Sequence, residues 1–110
     1  MKTYTSTLYF NYRFTERINV GLIMFNDTHC IVKIKQSKMN FVKLFKPEAY
    51  DLFKLTVSSF KNYYTYTLPT LQELTKTANY NNGIFKLDIP TTIDLELTTE
   101  NFNKLFNKVI

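Results

Sequence analysis

The run VGLIMF, residues 20–25, is apolar at every position apart from its single glycine. Side chains alternate across a strand, so an unbroken apolar run asks for cover on both faces, which places residues 19–25 as a central strand. Asn26-Asp27-Thr28 closes it with side chains that bond their own backbone. Residues 29–35, HCIVKIK, then return as a third strand in a tight antiparallel hairpin. Cys30, Val32 and Ile34 share one face there, against Ile31, Lys33 and Lys35. Upstream, residues 5–14 alternate, with Leu8, Phe10, Tyr12 and Phe14 on one side and Tyr9, Asn11 and Arg13 on the other. The turn TERI joins this strand to the central one, making a meander. Gly21 interrupts the apolar run. The structural reading is close approach by a helix or the neighbouring strand, or a bulge, with Asn19 holding the turn through backbone bonds. The functional reading is a polar cluster of Arg13, Glu16, Arg17 and Asn19 at the sheet end, where sites are built.

Helical spacing takes over after Gln36. Ser37 is the expected N-cap of a short helix with Met39, Val42 and Phe45 on its inner face. Pro47 opens a second helix, Glu48 and Asp51 in its first turn suit the dipole, and Ala49, Leu52, Phe53, Thr56, Val57 and Phe60 line its core face to about Tyr63. Pro69 is a breaker. Residues 71–80 fit a short helix through Leu71, Leu74 and Ala78, which their threonines weaken. Asn81-Asn82-Gly83 is a turn, 84–89 a late strand closed by Pro90, and TTIDLEL an edge strand or a linker. Thr98 or Thr99 caps a last helix from Glu100 to about Val109, striped by Phe102, Leu105, Phe106 and Val109. The order predicts a single α+β domain over residues 1–110, with a mostly antiparallel sheet opened by a three-stranded meander and helices packed on one face.

The stretch ERINVGLIMF, preceded by YFNYRF and followed by a turn and another strand, resembles the hallmark of bacterial domain-of-unknown-function family three-zero-three-seven. The likeness extends to the final helix, ENFNKLF, although the loop TERI is shorter than the family pattern. The resemblance implies a partner rather than a chemistry, since members are often encoded beside HipA-like kinases.

The residues themselves offer little catalytic equipment. His29 is the only histidine and Cys30 the only cysteine; as strand neighbours they face opposite ways and share no metal. Two distant glycines make no phosphate loop. Asp88, Asp94, Glu96 and Glu100 lack a convergent base or oxyanion donor. No cofactor, metal or catalytic residue is expected. A lone cysteine fits a reducing compartment, and no apolar run reaches signal-peptide or membrane length, so the expected setting is the cytoplasm, away from membranes. Residues 1–61 carry ten Lys/Arg and four Asp/Glu, a net +6, while 62–110 carry four and five, a net −1. A basic half attracts polyanions, but only two of the fourteen basic residues are Arg, the residue that clamps phosphate and reads bases. The tyrosines of NYYTYT suit protein contacts. The expectation is a small non-enzymatic protein-interaction module with candidate interface residues Arg13, Glu16, Arg17, Asn19, Tyr63, Tyr64 and Tyr66. By resemblance it is an accessory or regulatory partner of a HipA-like kinase or of a toxin or defence system. The alternative is a basic nucleic-acid-binding protein.

Overall fold

A computed structural model of the chain describes residues 1–13 (backbone only at 12 and 13), 16–79 and 85–110. The apolar run lies in β2 (Glu16–Phe25), which stands between β1 (Thr3–Arg13) and β3 (Cys30–Ile34) in an antiparallel meander. The free edge of β1 receives β4 (Lys86–Leu87) and then β5 (Thr91–Ile93), both antiparallel, so the order across the sheet is β3-β2-β1-β4 with β5 continuing along β1. The helices are α1 (Gln36–Phe45), α2 (Pro47–Tyr66), α3 (Leu71–Asn79) and α4 (Thr99–Val109). The α+β class and the opening meander are as expected.

Cover comes from both sides. Leu8, Phe10, Ile18, Val20, Ile23 and Phe25 of the sheet pack with Met39 and Val42 of α1, Phe53 and Val57 of α2, and Leu74 of α3. Leu22 and Met24 face the other way, onto Phe102 and Phe106 of α4 and the terminal Ile110. One-face packing therefore describes α1–α3, and α4 takes the opposite face. Each such side chain is worth about 1.5–3 kcal/mol when fully buried, so α4 is held by a small hydrophobic core of its own.

Gly21 is a structural device. Leu8 stands opposite Gly21 and Tyr9 opposite Asn19, which leaves Val20 as an extra residue, a β-bulge. The bulge turns Val20 toward the same core as Ile23. On the other side, β3 runs so near that a Cβ on Gly21 would lie 2.8 Å from the carbonyl oxygen of Lys33 and 2.5 Å from Ile34 Cδ1. The bulge and the close neighbouring strand coexist, and the approaching element is the strand rather than a helix.

Several boundaries differ from expectation. β3 passes directly into α1, whose N-cap is Lys35; Lys38 and Met39 donate their amides to the Lys35 carbonyl at 3.0 and 3.2 Å, so Ser37 lies inside the helix and caps nothing. α2 continues to Tyr66, where Thr65 returns its hydroxyl to the Lys61 carbonyl at 2.6 Å. Residues 71–79 are helical, with the Thr70 hydroxyl accepting from the Glu73 amide at 3.1 Å. Of the late strand expected over 84–89, Lys86–Leu87 is strand and Ile84 lies outside the described residues; beyond Leu87, Asp88 still donates its amide to the Thr7 carbonyl at 3.0 Å and its own carbonyl accepts from the Ser6 hydroxyl. Part of TTIDLEL is strand, over three residues. Thr98 caps α4, accepting from the Asn101 amide at 3.0 Å. The expected turn at Asn81-Asn82-Gly83 lies outside the described residues.

Candidate functional site

Two groups of residues stand out in the sequence, and the structure treats them differently. On the sheet face that carries α4, Tyr9 and Asn19 are cross-strand neighbours and Arg17 sits two residues before Asn19. The Arg17 guanidinium lies over the Tyr9 ring at 3.8 Å from its centre. Its Nε donates to Asn19 Oδ1 at 2.8 Å, and Nη1 and Nη2 donate to the two carboxylate oxygens of Asp88 at 2.9 and 2.7 Å. Asn19 in turn donates from Nδ2 to the Val109 carbonyl at 3.2 Å, near the end of α4. The bidentate bond to Asp88 raises the Arg17 pKa, so the charge is fixed. The group ties β2 to Asp88, just past β4, and to the end of α4. Although the pair is partly exposed, its donors are engaged by partners within the chain, and the group acts as a clamp between elements.

Arg17 and Asn19 are thus brought together as the sequence suggests. Glu16 is exposed and takes no part in the clamp. Arg13 pairs through its backbone with Glu16; its side chain lies outside the described residues. Asp88 completes the clamp, and its membership shows in no local pattern, since it lies 71 residues from Arg17.

The tyrosines separate because α2 does not stop at Tyr63. At about 100° per residue, consecutive positions on a helix look in different directions. Tyr64 is buried, its ring 4.8 Å from that of Phe60 and its phenol bonded to Glu73 of α3. Burial, with help from the Glu73 carboxylate, pushes its pKa up. It is a core residue joining α2 to α3, and no longer a candidate surface anchor. Tyr63 and Tyr66 are exposed, Tyr66 at 89%.

They are not alone. Leu52 and Leu55, 54% and 64% exposed, lie on the same outer side of α2. The stripe Leu52, Leu55, Ser59, Tyr63, Tyr66 follows three- and four-residue steps. The inner stripe is Tyr50, Phe53, Val57, Phe60 and Tyr64. α2 is therefore apolar on two sides. The sequence reading placed Leu52 inside; the inner side is filled by the aromatic positions, and Leu52 falls outside it. Phe45 of α1, also expected inside, is exposed together with Phe41 and Leu44, because Met39 and Val42 supply the face of α1 that meets the sheet.

Chemistry remains sparse. His29 is exposed and contacts the Thr28 hydroxyl at 2.8 Å. Cys30 is partly buried, and burial pushes its thiol up to about 12. Among the described residues no group of three His, Cys, Asp or Glu is placed to hold a metal ion, and no helix is long and apolar enough to cross a membrane. Comparison with protein-family models, curated proteins and solved structures finds no match.

Proposed function

We propose that this protein is a non-enzymatic protein-interaction module and that the outer side of α2 is its principal contact surface. The observation that carries the reading is the second apolar stripe, Leu52, Leu55, Tyr63 and Tyr66, facing solvent on a helix whose other side already fills the core. Contiguous exposed apolar side chains on a soluble domain mark interaction sites, and aromatic anchors supply much of the binding energy at such sites. The resemblance to family three-zero-three-seven supports a cytoplasmic accessory or regulatory role beside a HipA-like kinase, or within a toxin or defence system. The nucleic-acid alternative rests on lysine charge, and the Arg17 guanidinium is committed to Asp88.

The test introduces a photo-crosslinking amino acid at Ser59, in the middle of the stripe, and identifies what it captures in the native host. Leu55→Ser and Tyr66→Ser should abolish that capture, while Lys76→Ala and Lys104→Ala leave it intact. Capture unchanged by both stripe variants refutes this surface as the interface. Salt-sensitive oligonucleotide binding in its place would establish the alternative.

A further inference from the structure

α1 carries a second outward apolar surface with different surroundings. Phe41 and Phe45 are stacked on each other with ring centres 6.5 Å apart, and Leu44 beside them is 73% exposed. Residues 35–46, the helix with its two caps, contain four lysines and no acidic residue. Lys38 stands one turn before Phe41 on the same flank, Lys43 extends over the Tyr50 ring at 5.7 Å, and Lys46 follows Phe45 directly. The surface is an apolar plateau flanked by the ammonium groups of Lys38 and Lys46, with Lys43 turned toward Tyr50.

We infer that the outer face of α1 docks an acidic amphipathic segment of a different protein, one that offers large apolar side chains flanked by Asp or Glu. The inference rests on the reading of the chain as a binding module and assigns it a second surface. Charge complementarity selects the occupant: lysines at the rim of an apolar contact favour an anionic partner and repel a basic one. A second copy of this chain fits poorly. Its own acidic apolar stretch, Asp94-Leu95-Glu96, lies between Ile93 and Leu97, which pack with α4 on the opposite face of the sheet from α1. Contact between those two surfaces would run head to tail and lacks the self-complementary patch of a two-fold dimer.

The experiment selects short random peptides displayed on phage against the intact protein. A synthetic copy of the strongest binder is then titrated while backbone amide shifts are followed by NMR. The expected result is enrichment of Asp/Glu-flanked aromatic or leucine anchors, with shifts confined to α1. Leu44→Ser should weaken binding by about tenfold, Lys38→Glu with Lys43→Glu should weaken it further, and affinity should fall as salt rises. Leu44 projects into solvent, so its replacement leaves the fold intact, which the amide spectrum verifies. Enrichment without acidic residues, or shifts on the α2 stripe that Leu44→Ser does not affect, overturns this inference and leaves the proposed function standing. So does sedimentation of the protein with phosphatidylserine vesicles that Leu44→Ser abolishes. Absence of any enriched peptide overturns it as well.

Discussion

Replacing Gly21 by Ala tests the packing of β2 against β3 with a single carbon atom. In an open strand position this change removes backbone freedom from the unfolded chain and stabilises by roughly 0.5–1 kcal/mol. Here the new Cβ lies 2.5 Å from Ile34 Cδ1 and 2.8 Å from the Lys33 carbonyl oxygen. Ile34 can rotate its terminal methyl aside; the Lys33 carbonyl is part of the ladder and cannot. Restoring van der Waals distance moves β3 by several tenths of an ångström along the stretch that pairs Gly21 with Ile34 and Leu22 with Lys33. Overpacking of this kind costs about 1–3 kcal/mol, and one weakened ladder bond adds about 1 kcal/mol. Against the backbone gain, Gly21→Ala should destabilise by about 2 kcal/mol and Gly21→Val by more. Urea melts followed by circular dichroism should show a lower midpoint with an unchanged slope. Adding Ile34→Val removes Cδ1, and should return part of the loss but not all of it, because the carbonyl contact persists. An unchanged or raised midpoint for Gly21→Ala would refute the close approach of β3.

The Arg17–Asp88 pair is bidentate but more than a third exposed, so a double-mutant cycle with Arg17→Met and Asp88→Asn should give a coupling of no more than about 1 kcal/mol; a near-zero value would show that the clamp adds nothing to stability. Cys30 should react slowly with a thiol reagent at neutral pH, and Cys30→Ala should cost stability modestly while leaving binding unchanged; rapid labelling of the native protein would contradict its burial. Because the folded thiol sits near 12 against an ordinary 9.0, the unfolded chain ionises first, so stability should fall as pH rises above about 9, and Cys30→Ala should flatten that decline in chemical denaturation. Tyr64→Phe should cost about 1–2 kcal/mol by stranding Glu73, whereas Tyr66→Ala should stay within about 0.5 kcal/mol; equal effects in thermal melts would contradict the split between a buried and an exposed tyrosine.

Strand order and helix order were legible because they are written in local periodicity. The hairpin of β2 and β3, the stripe of α4 and the cap at Thr98 all follow from residues within a few positions of one another. The run at 20–25 also held the signal that a helix must cover the second face, since Leu22 and Met24 need cover as much as Ile23 and Phe25 do. What local pattern cannot carry is long-range pairing. Asp88 reads as one of several scattered acids until folding brings it to Arg17. Tyr63, Tyr64 and Tyr66 read as one cluster until helix phase divides them. α1 and α2 are also each apolar on two sides, and composition alone does not say which side meets the sheet. In α2 the side with Tyr50, Phe53, Val57 and Phe60 meets the sheet and leaves Leu52 and Leu55 outside; in α1 Met39 and Val42 face inward while Phe41, Leu44 and Phe45 stay out.

The private core beneath α4 has a consequence for how the protein is made. Leu22 and Met24 emerge from the ribosome together with the strands and helices of the larger core, whereas Phe102, Phe106 and Ile110 emerge after them. Until they do, one side of the nascent sheet is bare, a surface of the kind that chaperones and proteases recognise. A chain cut short before residue 102 would leave Leu22 and Met24, with Ile31, Ile93 and Leu97 around them, without the helix that covers them. The sheet is thus covered on its second face only by residues made some eighty positions after the strand they protect.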